Sequence, residues 1–225
     1  MFETLTNDDV GAALESLLPI LGVKSEPSRA TLVSLLRRRK VQECVVAIAS
    51  HMGLPIAINL TYVHAGYTPG DSDRFKSTQL TKTDWRGQGV GGIVAQVRLP
   101  NNLPIYASSN LVGYPVHVRV SEDCHDTPDT FIGIMAHELS HVLLRTLRHP
   151  RDTDELYTEI VPLLMGFSSI VLRGREVIRS SSDGFTTTSR TMKYGYPTDS
   201  QFQFARKRVR DILKQVRADA GQEGN

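Results

Sequence analysis

The sequence predicts an α+β domain in which a small, twisted mixed sheet packs on a buried helix. Three observations predict this class. Apolar residues recur at helical spacing near the N-terminus and throughout the second half of the chain. Short alternating segments typical of strands lie between these regions. One helical segment, residues 127–147, is apolar nearly all round, which is typical of a helix that is buried on every side.

We expect a single domain over residues 1–225. Residues 1–126 would hold the N-terminal helices and the sheet, and residues 127–219 would hold the central buried helix and the C-terminal helices. This order of helices, strands and helices is typical of α+β domains. A chain of 225 residues buries roughly 70% of its unfolded surface on folding. Neither a metal nor a disulfide is therefore required for a stable core.

Each element follows from its local pattern. Helices are predicted where apolar residues recur at helical spacing, namely residues 7–21, 28–39, 41–52, 127–147, 152–172 and 199–218. Strands are predicted for the alternating segments 56–63, 93–99 and 116–120. Two segments are rich in small polar residues: 64–92 is predicted as a long loop or weak hairpin, and 180–191 as a loop. Thr127 and Pro128 suit the start of the buried helix, and Pro162 is expected to bend the helix that follows it.

Composition argues against several classes of function. The formal net charge is +2, which is too small to indicate a nucleic-acid or membrane partner. The N-terminus is acidic and precedes no long apolar run, so we expect no secretory signal, no membrane span and a cytoplasmic protein. Cys44 and Cys124 are far apart in the sequence. Two reduced thiols, of which at least one is buried, are predicted rather than a disulfide.

The chemistry of the chain centres on the motif His137-Glu138-Leu139-Ser140-His141. Two histidines four residues apart on a helix project from one face, so both rings can bind one zinc ion. Glu138 would lie beside them, within reach of a water on the metal without being a ligand. The alternative, two hydrogen-bonded core histidines, requires partners that so apolar a helix does not itself supply.

A third ligand is expected in the acidic start of the next helix. Two helices joined by a short connection are antiparallel neighbours, so this cluster would face the histidine pair. Glu155 is assigned as the ligand, with Glu159 or Asp154 as alternatives, and Glu159 as the carboxylate that orients a ligand histidine. A competing interpretation makes Asp152 and Glu155 a capping box that only begins a helix.

The two motifs, His137–His141 and Glu155-Leu156-Tyr157-Thr158-Glu159, resemble the HExxH…ExxxD pattern of the gluzincins, the thermolysin-like zinc peptidases. They are also similar to compact relatives with a short gap between the motifs. The resemblance covers residues 128–172. It implies a zincin-like domain in which His137, His141 and Glu155 bind Zn²⁺. Glu138 would be the general base toward a zinc-activated water that hydrolyses a peptide bond of a peptide or protein substrate. Glu159 stands where the family usually has Asp.

A donor to the developing oxyanion is also expected in a peptidase. Tyr196 is the candidate, together with Tyr194, although a core or turn residue is the more ordinary explanation of each one separately. The segment Tyr194-Gly195-Tyr196-Pro197 is similar to part of a bacterial zincin-like family of uncharacterised function. In zincins an extended substrate pairs with an edge strand, for which 93–99 and 116–120 are the candidates.

Two other functions remain open from the sequence. A zincin-like zinc-binding or regulatory protein could keep the ligands and lack hydrolysis. A nucleic-acid-binding module could use the last helix, although a solvated helix face explains its basic residues equally: Arg206, Lys207, Arg208, Arg210, Lys214 and Arg217.

Overall fold

The computed structural model describes residues 5–67, 93–182, 187–195 and 197–222. Within these ranges the chain forms seven α-helices, one short 3₁₀ turn and five strands. The helices are α1 (Asn7–Leu21), α2 (Arg29–Arg37), α3 (Val41–Met52), α4 (Pro128–Thr146), α5 (Glu155–Leu164), α6 (Ser168–Gly174) and α7 (Asp199–Gln222). The strands are β1 (Ala57–Val63), β2 (Ala95–Val97), β3 (Pro115–Ser121), β4 (Glu176–Ser182) and β5 (Thr187–Lys193). The expected mixture of helices with a small mixed sheet is confirmed.

Three N-terminal helices cover one side of the domain. A capping box between Thr6 and Asp9 begins α1, and Gly22 ends it with a positive φ of 63°. The apolar stripe of α1 is fully or almost fully buried, and the helix packs on α5 and α7. α2 and α3 pack on each other, and both contact α4. These helices therefore brace the central helix and the one that follows it.

The main sheet is mixed and has the order β1-β3-β2. β1 runs parallel to β3, whereas β2 runs antiparallel to it. β3 is thus the central strand, so the expectation that residues 116–120 could offer a free edge to a substrate is wrong. Among the described strands, β2 lies at the edge of this sheet; it contacts α4, and all three of its residues are buried. It places the sheet directly against the central helix.

α4 is the central helix of the domain. It contacts α2, α3, α5, α6 and β2. Between Thr130 and Leu144 every residue except Gly133 is buried. Pro128 occupies the first turn, where its missing N–H costs nothing. The uniformly apolar pattern in the sequence is explained by this position, because no side of the helix faces solvent.

The prediction of one bent helix over residues 152–172 is wrong. Two helices occupy this region, α5 and α6, separated at Gly166, which has a φ of +86°. The Phe167 N–H donates to the Pro162 carbonyl at 2.9 Å and closes the end of α5. Glycine adopts this left-handed conformation without steric cost. The break is therefore set by Gly166 rather than by a bend at Pro162.

The predicted loop over residues 180–191 is also wrong, because β4 and β5 form a two-stranded antiparallel sheet there. Serine and threonine are typical of loops, but threonine also favours strands when it can pair across a ladder. The predicted loop over 64–92 falls almost entirely outside the described residues.

Cys44 and Cys124 are both free and buried, as predicted. No helix in the described parts of the chain is long and apolar enough to cross a membrane.

Candidate metal centre

His137 and His141 lie one turn apart on the same face of α4. Their ring centroids are 5.1 Å apart and the ring planes meet at 86°. Each residue is only 3% exposed. The rings thus converge on one point without stacking, and their Nε2 atoms are directed away from bulk water.

Glu155 is the first residue of α5, and the packing of α5 against α4 carries it to the histidine pair. Its Oε2 lies 3.3 Å from His137 Nε2 and 3.8 Å from His141 Nε2. One ligand atom from each of the three residues lies within 4.8 Å of the others. The sequence placed these three residues together, and the structure brings them into one cluster.

This cluster fits a metal ion by an independent criterion. Neither His137 Nε2 nor His141 Nε2 has a hydrogen-bond partner among the described residues, although both atoms are buried. The 3.3 Å approach of Glu155 to His137 does not have hydrogen-bond geometry. Burying a polar nitrogen without a partner costs about 1–3 kcal/mol. A cation bound by both Nε2 atoms would remove this cost for each of them. Two imidazoles with one carboxylate are a common donor set of catalytic zinc.

Glu159 lies one turn after Glu155 on α5 and contacts the other side of the His137 ring. Its Oε1 is 3.4 Å from His137 Nδ1, and the residue is 9% exposed. Like Nε2, the buried Nδ1 has no hydrogen-bond partner among the described residues, so this is a charge contact. A carboxylate at Nδ1 favours the tautomer that carries its proton there, which leaves Nε2 as the lone-pair nitrogen. The predicted orienting role of Glu159 is compatible with this geometry.

Capping of α5 is performed by Asp154 rather than by Asp152. Asp154 Oδ1 accepts from the Leu156 N–H at 3.0 Å. Asp152 instead pairs with Arg145, with 2.9 Å between Oδ2 and Nε. The proposed capping box of Asp152 and Glu155 is therefore wrong, and helix capping does not account for the position of Glu155. Asp154, an alternative third ligand, lies outside the metal cluster.

Glu138 faces the sheet. The backbone N–H of Val97 donates to Glu138 Oε2 at 3.1 Å, and Glu138 is 2% exposed. Directly after β2, the Arg98 N–H donates to the His117 carbonyl of β3, so the Val97 N–H points to the opposite, outer edge. This contact was not predicted, because it joins segments far apart in sequence. The alternating pattern of residues 93–99 predicts the strand but not its contact with Glu138.

The surroundings of the two histidines shift their pKa values in opposite directions. Burial opposes the charge on His137, but the carboxylates of Glu155, Glu159 and Glu138 outweigh it and raise its pKa to about 9. Burial, followed by the positive charge of His137 beside it, lowers the pKa of His141 to about 4. In the metal-free protein at neutral pH, one ring is therefore charged and the other neutral.

A pocket on the Glu159 side of His137 contains residues that the sequence did not single out together. It is lined by Thr130, Gly133, Ile134, His137, Glu159, Val171, Gly174, Arg175, Tyr194 and Gly195. The Tyr194 N–H donates to the Arg175 carbonyl at 2.8 Å, which ties the chain after β5 to this pocket. Tyr196 lies outside the described residues, so its expected role as an oxyanion donor stays a prediction.

No family model matches the chain, and neither the curated proteins nor the solved structures gave a significant match to it. The assignment of a function therefore depends on the site itself. Its strongest feature is the convergence of two buried imidazoles and one carboxylate.

Proposed function

We propose that this protein is a zinc-dependent peptidase. The observation that carries the proposal is the cluster of His137, His141 and Glu155, whose ligand atoms lie within 4.8 Å of one another. The buried Nε2 atoms lack hydrogen-bond partners among the described residues, which supports a cation as their ligand. Glu138, on the same helix, supplies the carboxylate that hydrolysis requires. The resemblance of the two motifs to the gluzincins agrees with this set.

In this proposal His137, His141 and Glu155 would hold the zinc, which would supply Lewis acidity that lowers the pKa of a water to about 7. Glu138 accepts a proton from the attacking water and later delivers it to the leaving amine. The Val97 N–H fixes one oxygen of Glu138, which leaves the carboxylate plane in a defined orientation. Glu159, 3.4 Å from Nδ1, would orient the His137 ring.

A peptide is the favoured substrate because β2 is an edge strand beside Glu138. The Val97 N–H points to the outer edge of β2. The main-chain groups of Ala95, two residues earlier, point to the same edge. Because Glu138 already accepts from the Val97 N–H, an extended chain would add to this edge through the main-chain groups of Ala95. The carbonyl to be attacked would then lie next to Glu138.

One observation favours the second candidate, a zinc-binding protein without hydrolysis. Glu138, His137 and His141 are only 2–3% exposed. A substrate needs access to the general base, so a site that stays closed would bind metal and not turn over. This candidate shares the metal ligands and differs only in the role of Glu138.

The substitution Glu138→Gln separates the two candidates. The side chain keeps its size and loses the basic carboxylate, so zinc content should be unchanged. We expect cleavage of a peptide library, followed by mass spectrometry, to fall about 10²–10⁴-fold, the usual contribution of a general base. Zinc-loaded wild type that cleaves no peptide, or cleavage that persists in Glu138→Gln, would refute the peptidase proposal.

A further inference from the structure

Arg175 is a buried cation that the metal cluster and the proposed reaction do not use. It lies directly after α6, is 9% exposed, and stacks on Phe202 with 4.7 Å from Cζ to the ring centroid. Its Nη2 donates to the Pro197 carbonyl and lies 3.5 Å from Asp199 Oδ1. Its Nη1 has no hydrogen-bond partner among the described residues, although the atom is buried. One side of the guanidinium is thus anchored, and the other faces the pocket beside His137.

Gly195 shows how close Arg175 and Glu159 are. A Cβ placed on Gly195 would lie 3.1 Å from Arg175 Nη1 and 3.2 Å from Glu159 Oε2. The guanidinium and the carboxylate therefore flank the same small space. Gly195 has a φ of +97° and no side chain, and both properties let the backbone pass beside this pair of charges. A larger residue would fill the space between them.

The size and charge of the pocket limit which groups can bind beside Arg175. Its cavity volume is about 30 Å³, and one water needs roughly 10–15 Å³ of such volume. There is room for two or three waters and not for an amino acid. Glu159 also lines the pocket and would repel an added carboxylate. Arg175 Nη1 and the Glu159 carboxylate face this space without forming a direct ion pair, so water would connect them.

We propose that Arg175 is a positioning residue for the metal centre: it holds the Glu159 carboxylate, which in turn holds Nδ1 of the ligand His137. A buried cation beside Glu159 attracts and orients that carboxylate, which keeps its Oε1 on the Nδ1 side of the His137 ring. Arg175 thereby connects the chain around Pro197 and α7 to the zinc ligands. The inference rests on zinc binding at His137, His141 and Glu155, and it is independent of peptide hydrolysis.

A double-mutant cycle on zinc affinity tests this relay in the full chain. The zinc dissociation constant is measured by competition with a chelating dye for wild type, Arg175→Gln, Glu159→Gln and the double variant. We expect Glu159→Gln to weaken binding about 10–100-fold and Arg175→Gln about 10-fold. The double variant should bind no more weakly than Glu159→Gln, because both residues act through one contact.

A matched control is Arg173→Gln, which removes an exposed arginine on α6 and should leave zinc affinity unchanged. The visible spectrum of the Co²⁺-substituted protein gives a second readout, and it should shift in Arg175→Gln and Glu159→Gln but not in the control. If Arg175→Gln does not fold, Arg175→Lys is combined with Glu159→Gln, and the same non-additivity is expected. Wild type that binds zinc together with additive effects, or an unchanged affinity in Arg175→Gln, overturns the relay alone. Wild type without zinc overturns the metal centre as well.

Discussion

At the scale of single residues, the two histidines of the motif have different surroundings although they share one helix face. His137 contacts Glu155 through Nε2 and Glu159 through Nδ1, at 3.3 and 3.4 Å. Of these two carboxylates, His141 contacts Glu155, at 3.8 Å. The charged ring of His137 substitutes for a cation when the metal is absent. In the proposed centre, zinc and a proton would therefore compete for the same nitrogen.

This competition predicts how stability depends on pH in the metal-free protein. The folded pKa of His137, about 9, exceeds its ordinary value of 6.5. Its contribution to stability is therefore complete below pH 6.5 and is lost as the pH rises through 9. The pKa of His141 is lowered, to about 4, so its effect is opposite: stability is lost as the pH falls from 6.5 toward 4. We expect the melting temperature of chelator-treated protein to be highest near pH 6.5.

Calorimetry across pH 4–10, with and without one equivalent of zinc, measures this dependence. Zinc holds both rings neutral, so the loss of stability between pH 6.5 and 9 should disappear in the loaded protein. Metal-free His137→Gln is the control and should lack the same alkaline loss. A metal-free melting temperature that is level between pH 6.5 and 9 would contradict the charged state assigned to His137.

At the scale of elements, the geometry of the centre depends on where α5 begins and ends. Asp154 caps its start, which fixes Glu155 and Glu159 on the side that faces α4. Gly166 ends it and packs against the loop before α2, where a Cβ would collide with the Ser25 carbonyl and lie 3.0 Å from the Lys24 carbonyl oxygen. The Lys24 N–H also bonds to the Leu164 carbonyl, at 2.8 Å. Both ends of α5 are thus held by specific contacts.

Gly166→Ala should therefore destabilise the protein, by about 2–4 kcal/mol, since it combines a strained φ with a backbone collision. Gly11→Ala is the matched control. Gly11 lies inside α1 with nothing within 4 Å of an added Cβ, so alanine should stabilise that helix by roughly 0.5–1 kcal/mol. Denaturant unfolding measures both. Equal effects of the two substitutions would show that Gly166 is not required where α5 ends.

The sequence could predict those parts of the centre that depend on local geometry. The spacing of His137 and His141 on a helix fixes their common face, and the short connection to α5 predicts that Glu155 approaches them. The contact of Glu138 with Val97 and the position of Arg175 depend on packing between distant segments, which no local pattern records. The break at Gly166 was missed because a helical pattern continues on both sides of it.

At the scale of the whole molecule, the centre lies within a core that does not depend on it. The described chain buries a continuous apolar cluster that extends from α1 through the sheet to α7. A core of this size stabilises the fold without a metal, unlike that of a zinc finger. Loss of zinc should lower the melting temperature by mass action without unfolding the protein. Metal binding can therefore be measured in variants that remain folded.

The most direct test of the metal centre is elemental analysis of purified wild type, Glu155→Ala and Asp154→Ala, each shown to be folded by its melting temperature. We predict one zinc per chain in wild type and in Asp154→Ala, because Asp154 caps α5 and lies outside the cluster. Glu155→Ala should retain little or no zinc. Chelator-free wild type that takes up no zinc when zinc is added, or full zinc content in Glu155→Ala, would contradict the three-residue centre.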